Sequence, residues 1–191
     1  MTTMILGVDP TALKAASTVA QNVVLQDVHM IRCRLESDVH TRDARSRAAL
    51  APNVSIIDVQ HSLVGSDLLL VQAGVRVVLT PTVQPDAGKP EQSAKPTIEI
   101  EVVFGAEYRL PSGPIPENIG AKGLQAFASI NGPYNCWPYL RQEVDRLTSS
   151  CGHRLVLPLL RVEAKSPPPE LATDAPKGEA AAKSPGGDQA T

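Results

Sequence analysis

Cysteine is scarce in this chain of 191 residues: Cys33, Cys136 and Cys151 are too few, and odd in number, for a disulfide framework. They are expected as reduced thiols of a cytosolic protein, since free cysteine prefers the interior. Long apolar runs are missing as well. No stretch approaches the ~20 apolar residues of a membrane span, and the short Met4-Ile5-Leu6-Gly7-Val8 run has no basic region before it. Neither membrane insertion nor a signal peptide is expected. Excess charge of one sign is also lacking. Through Val162 there are 15 Lys/Arg against 15 Asp/Glu, and beyond it 3 against 5, so the net charge of −2 belongs to the C-terminal tail. A neutral body has no basic face to displace counterions, which argues against a nucleic-acid partner.

The patterns of catalysis are missing too. His29, His40, His61 and His153 are scattered, and none stands at helical spacing from a carboxylate or thiol that would make a general base. Cys151 and His153 are the one close Cys/His pair, and no fourth ligand completes a zinc site. No glycine-rich phosphate loop is present. A non-enzyme without metal or cofactor is expected.

What the chain does contain is alternation. From Val28 to Glu36, Ile31, Cys33 and Leu35 point one way while Arg32, Arg34 and Glu36 point the other, which predicts a first strand. Val54 to Val59 reads as a second. Gly65-Ser66-Asp67 predicts a hairpin turn into a third, Leu68 to Val83, with Val71, Ala73, Val75, Val77 and Leu79 on one face. In a fourth, Ile98, Ile100, Val102 and Phe104 face inward and Glu99 and Glu101 outward. The connections are a polar, Arg-rich loop from His40 to Ala51, a Pro/Gly/Lys segment from Pro85 to Pro96, and a turn-rich segment from Pro111 to Pro116.

Helical spacing appears at both ends. Asp9-Pro10 reads as an N-cap with proline at the first helical position, opening an Ala-rich helix to about Gln21. Glu117 to Ile130 predicts a second helix with Leu124, Phe127 and Ile130 on its apolar face. Asn131-Gly132-Pro133 is read as a break. A third helix follows, capped by Asn135, with Trp137, Leu140, Val144 and Leu147 on one face and Gly152 as its left-handed stop. From about Glu163 the composition turns to Ala, Pro, Gly, Lys and Glu, with nothing to bury, so this tail is expected to be disordered. The expected architecture is α+β: residues 1–22 as an N-terminal extension with a short helix, a domain over 23–162, and a tail over 163–191. The domain is expected to be a four-stranded antiparallel sheet covered on one face by two C-terminal helices.

The segment Trp137-Pro138-Tyr139-Leu140-Arg141 entering a helix, followed by an extended apolar run with Leu157-Pro158-Leu159, resembles the protein-export chaperone SecB. That resemblance covers most of residues 24–162 and is most specific from Ile98 to Val162. It implies an ATP-independent cytosolic holdase, assembled as a dimer of dimers, that keeps unfolded export precursors in apolar grooves. Its implied client groove comprises Val54, Ile56, Phe104, Tyr134, Trp137, Leu155 and Leu157, residues that could equally fill the core. An acidic patch that docks the motor SecA is implied at Glu36, Glu99 and Glu101 on the open sheet face. Arg32 stands where that family carries an acid, and Arg32 and Arg34 could instead pair with Glu99 and Glu101 across neighbouring strands.

Two other roles fit the same residues. The Ala-rich N-terminal helix and the polar loop look more like SecB-like proteins outside the main export lineage, some of which are solitary chaperones attached to toxin–antitoxin systems that shield an unstable antitoxin. A non-chaperone oligomeric adaptor with the same fold is the other. Exposed apolar area separates the chaperones from the adaptor.

Overall fold

A computed structural model describes residues 3–37, 50–82, 98–110 and 119–165. The expected disordered tail beyond Lys165, the segment 85–96, the turn-rich segment 111–116 and most of the Arg-rich loop lie outside the described residues. In chain order the elements are β1 (Thr3–Val8), α1 (Pro10–Ala20), β2 (Val24–Ser37), β3 (Leu50–Val64), β4 (Leu68–Pro81), β5 (Ile98–Arg109), α2 (Ala121–Ser150) and β6 (Leu159–Ala164).

β2 to β5 form an antiparallel sheet in the order β2-β5-β4-β3. Its inner face carries the expected alternation. Leu69, Val71, Ala73, Val75, Val77 and Leu79 of β4 are all buried, beside Ile98, Ile100, Val102, Phe104, Ala106 and Tyr108 of β5. Each aliphatic side chain of this kind contributes about 1.5–3 kcal/mol on burial. The β3–β4 hairpin turns at Gly65, whose φ of 67° is one a side chain would strain. The strands are longer than their alternating cores, because pairing continues past the last inward side chain: β2 begins at Val24 and β3 extends from Leu50 to Val64.

The outer face departs from simple alternation. β2 bulges between Met30 and Arg32, and β3 between Ile57 and Gln60, where Asp58 takes a φ of 52°. A bulge adds one residue and bends its strand. Ile31 is therefore thrown to the outer face, which corrects its assignment beside Cys33 and Leu35. A methyl group on Gly105 would lie 2.8 Å from Ile31 Cδ1, and one on Gly74 would lie 2.8 Å from Val103 Cγ2 and 3.3 Å from Ile57 Cγ1. The two glycines thus let the edge strands fold over Val103, which is 2 % exposed despite its outward position. The result is a small second core, spanned by the Arg32–Asp58 ion pair from one edge strand to the other.

The two expected C-terminal helices are one. α2 runs unbroken from Ala121 to Ser150 with Pro133 and Pro138 inside it, and it packs on β3, β4 and β5. Gly132 is buried: its hydrogen faces Val71, and a methyl group there would sit 2.6 Å from Val71 Cγ1. Asn131-Gly132-Pro133 therefore marks close approach of helix to sheet and does not end the helix. Asn135 is not an N-cap, since it lies within α2 and donates to the Tyr108 hydroxyl at 2.7 Å. Gly152 does adopt the left-handed conformation just beyond the helix, with φ 79°.

The N-terminal segment packs into the same core. Asp9 caps α1, its Oδ1 accepting from the Thr11 and Ala12 amides at 2.8 and 3.3 Å. α1 lies against α2 and buries Ala16 and Val19. β1, whose apolar run was not read as a strand, pairs in parallel with β6 from Thr3↔Leu159 to Val8↔Ala164. β6 thus takes Glu163 and Ala164, at the start of the segment expected to be disordered, into regular structure.

Candidate functional site

No helix among the described residues is long and apolar enough to cross a membrane, and no cluster of three or more His, Cys, Asp or Glu among them could hold a metal ion. Three surfaces among the described residues are to be weighed.

The outer sheet face carries Glu36, Glu99 and Glu101. Register sets Arg34 opposite Glu101 and Glu36 opposite Glu99, with Arg76 of β4 facing Glu101 from the other side. Arg76 donates to Glu99 at 2.9 and 2.5 Å and comes within 3.7 Å of Glu101, while Arg34 donates to Glu36 at 3.0 and 2.5 Å. The ladder expected between Arg32 or Arg34 and the β5 glutamates is therefore built otherwise: Arg32 goes to Asp58, Arg34 to Glu36, and the β5 acids to Arg76. Hydrogen bonding to Glu36 holds the Arg34 guanidinium above its usual pKa range. Three acids beside two arginines leave a single uncompensated negative charge, a weak field for a basic partner.

The second surface is the flank of α2 toward β2. Asn135 reaches Tyr108, and the Tyr139 ring tilts over Phe104 with centroids 5.8 Å apart. α2 leaves β2 at its margin, so Leu25, Met30 and Cys33 stay exposed on the helix side. Burial, reinforced by the Glu143 carboxylate, pushes the Cys33 thiol pKa up. That carboxylate is itself held below its usual range by its hydrogen bond from Arg146. Beyond β2 no further strand is paired among the described residues, which makes β2 a 14-residue edge with no proline in it.

The third surface is the opposite flank of α2, where the Trp137-to-Arg141 motif does its structural work. Trp137 Nε1 donates to Pro158 O at 2.8 Å and Arg141 Nε to Leu157 O at 2.8 Å. Buried Thr148 accepts from the Leu155 amide at 3.0 Å and donates to Val144 O at 2.8 Å. These bonds lay the extended segment after α2 back along the helix, so the two halves of the motif are partners of each other.

The seven candidate groove residues divide accordingly. Phe104, Trp137 and Leu157 are buried in the core; Val54, Ile56 and Leu155 are half-buried against it; Tyr134 is 55 % exposed. Phe104 lies under Tyr139, on the flank toward β2. Trp137 and Leu157 meet on the other flank, where a rotation of 100° per residue also brings Tyr134 into line with Arg141. Sequence reasoning missed the exposed neighbours of this flank: Val156, Leu159 and, through the Thr3↔Leu159 register, Ile5. The adjacency of Leu157, Pro158 and Leu159 was the available signal. The pairing of β1 with β6 carried none.

An open cleft of about 740 Å³ adjoins this flank, between β1 and the first turns of α2, with Leu6, Gly7 and Val8 on one wall and Ala126, Ser129 and Ile130 on the other.

No protein-family model matches the chain, and no curated protein sequence does. Among solved structures it is similar to the Mycobacterium tuberculosis SecB-like chaperone Rv1957, in complex with a ChAD peptide from the Rv1956 HigA1 antitoxin. That superposition has a TM-score of 0.63 at 14 % identity and covers 78 % of this chain and 99 % of the other. A Streptococcus agalactiae protein of unknown function superposes at a TM-score of only 0.32, with 8 % identity over 71 % of this chain and 95 % of that one. The first likeness is one of fold: this chain has the SecB-like α+β fold.

Proposed function

We propose that this protein is an ATP-independent, non-enzymatic holdase of the SecB type that binds extended apolar polypeptide segments. The observation that carries the reading is the open apolar strip along α2 and the segment after it. Tyr134, Val156 and Leu159 are 55, 47 and 49 % exposed, in a fold shared with a chaperone bound to a peptide. Side chains of this size left in water mark a binding surface rather than a sealed wall. Half-buried Val54, Ile56 and Leu155 extend the apolar ground beneath it.

Assembly belongs to the same proposal. β2 is a long edge with Val24, Leu25, Met30 and Ile31 exposed, an arrangement that natural proteins cover. A second copy pairing there makes a dimer, and a dimer of dimers follows the family's plan. Cytoplasmic clients are the natural ones for a protein with free thiols.

Two destinations for the client remain, delivery to SecA for export or protection of one antitoxin. The compensated outer face favours the second. With Glu99 and Glu101 engaged by Arg76, and Glu36 by Arg34, SecA docking through Glu36, Glu99 and Glu101 is the weaker reading. If the face does dock SecA, Arg76→Gln strengthens that binding and charge reversal at Glu36 and Glu101 abolishes it.

The test of the holdase reading is a fluorescence-anisotropy titration with a labelled apolar peptide that has no structure of its own. Saturable binding is expected, weakened about tenfold or more by Tyr134→Glu, since one lost anchor of ~1.4 kcal/mol gives that factor. A folded protein that leaves the peptide unbound would contradict the reading.

A further inference from the structure

β1 is held on one side only. It pairs in parallel with β6, and among the described residues no other strand joins either of them. Two-stranded sheets are marginal by themselves, and parallel pairs belong in buried settings with both faces covered. Here one face of the pair rests on the core and the other faces solvent. Of β1's side chains Val8 alone is buried; Met4 and Leu6 are half-buried, Ile5 is 58 % exposed, and Gly7 has nothing to pack. On its other flank β1 meets the 740 Å³ cleft rather than a packed neighbour.

Part of the bed under β1, in contrast, is held without it. The chain entering β6 is clamped by Trp137 and Arg141, and Leu160 and Val162 rest on the core. α1 is independent of β1 as well. Its cap is Asp9, whose side chain binds the Thr11 and Ala12 amides and whose carbonyl accepts from Leu13 at 2.9 Å. β1 can therefore leave as far as Asp9 with α1 and the clamp on Leu157 and Pro158 intact, giving up the β6 ladder, the bond from the Lys165 amide to Val8 O and the burial of Val8.

Thr-Met-Ile-Leu-Gly-Val is itself a short, uncharged, apolar segment held extended by main-chain hydrogen bonds. It has the chemistry of the client that the holdase reading requires. We propose that β1 is a built-in stand-in for client: a displaceable strand on the edge of β6, replaced by an extended apolar segment of a bound polypeptide. This rests on the holdase reading and adds where such a segment pairs and what it must expel. The affinity of the open bed is reduced by the fraction of molecules in which β1 has left; if that fraction is about one in ten, the full chain binds about tenfold more weakly than the bed alone.

The test uses three proteins and two probes. One is the full chain. The second lacks residues 1–8 and keeps Asp9. The third is the full chain with Ile5→Cys and Arg161→Cys in a Cys33→Ser background, because Ile5 and Arg161 are register partners that both face solvent. The probes are a labelled peptide carrying the sequence of residues 3–8 between solubilising lysines, and a denatured client followed by light scattering. Expected are peptide binding about tenfold tighter to the shortened protein than to the full chain, and loss of peptide binding in the oxidised double-cysteine protein with recovery on reduction. Equal affinity in the shortened and full proteins, or an oxidised protein that binds like its reduced form, would overturn the proposal. If the shortened protein does not fold, the oxidised and reduced pair decides alone. Failure of the holdase reading has another signature: no variant suppresses client aggregation, although the peptide still enters the shortened protein.

Discussion

Gly132→Ala is a substitution whose sign depends on what the Asn131-Gly132-Pro133 segment is. In a helix interior facing solvent, alanine in place of glycine stabilises by about 1 kcal/mol through backbone entropy. In this protein the new methyl group would lie 2.6 Å from Val71 Cγ1, below any real carbon–carbon contact, while Ala73 Cβ at 3.7 Å and Gln72 O at 3.8 Å stand at ordinary distances. The clash is thus with one side chain, and Val71 is fully buried. Forcing an extra methyl group into a filled core costs about 1–3 kcal/mol. Less the propensity gain of about 1 kcal/mol, the variant is expected to be destabilised by up to about 2 kcal/mol. Urea denaturation followed by circular dichroism measures this, with the midpoint moving and the slope unchanged. The same substitution in a Val71→Ala background is expected to stabilise, because the clashing atom is gone, so the pair is non-additive in a double-mutant cycle. A Gly132→Ala protein about 1 kcal/mol more stable than the parent would refute the close approach of α2 to β4.

Trp137→Phe keeps the ring in the core but removes the donor to Pro158 O. A loss of about 1 kcal/mol is expected from the missing hydrogen bond to this half-buried carbonyl, with faster amide exchange over residues 155–160 in hydrogen-exchange mass spectrometry. Burial pushes Cys136 and the Tyr108 hydroxyl each up to about 12, from 9.0 and 10.0, the latter against the opposing hydrogen bond from Asn135. Both groups keep their protons in the folded state while the unfolded chain releases them. Stability is therefore expected to be full below pH 9 and to fall from there toward pH 12, more shallowly in Cys136→Ala, as denaturation midpoints across that range would record. The same burial predicts that a thiol reagent at pH 8 labels Cys33 in the folded protein and Cys136 only after unfolding. Asp58→Val puts a β-branched residue at φ 52° and removes the partner of Arg32, and a loss of at least about 1–2 kcal/mol by thermal unfolding is expected.

The parts of the fold that were legible in the sequence are those with a short-range signature. The alternation in β4 and β5 named the inner face correctly, since a strand buried on one side writes its orientation with a period of two. The Asp9-Pro10 cap, the Gly65 turn and the Gly152 stop were legible because backbone geometry restricts which residues can stand there. Ile31 was misread because a bulge shifts the period by one residue, and a bulge depends on Val103 and Gly105 of a neighbouring strand. Gly132 and Pro133 were misread because the same residue types end helices and permit close packing, and Val71 decides which. β1 and β6 were out of reach. Six-residue segments more than 150 positions apart pair in parallel here, and nothing local to either announces the other.

The candidate site was legible to a similar depth. The Trp137-to-Arg141 motif and the Leu157-Pro158-Leu159 run were both singled out, but not that Trp137 and Arg141 hold the carbonyls of Pro158 and Leu157. That mutual clamp moves Trp137 and Leu157 into the core and leaves Tyr134, Val156 and Leu159 as the open apolar strip. On the sheet face the acids were found, but Arg76, which pairs with Glu99 and lies near Glu101, is supplied by β4 and was not considered.

The measurement that bears most directly on the central claim is suppression of aggregation. A denatured, slow-folding protein is diluted into buffer with and without this protein, no nucleotide being added, and light scattering is followed. The account predicts suppression near one assembly per client, lost in a folded variant carrying Tyr134→Glu and Leu159→Glu. Scattering unchanged by the folded, assembled parent protein would contradict it, as would a charged-strip variant that protects the client equally well.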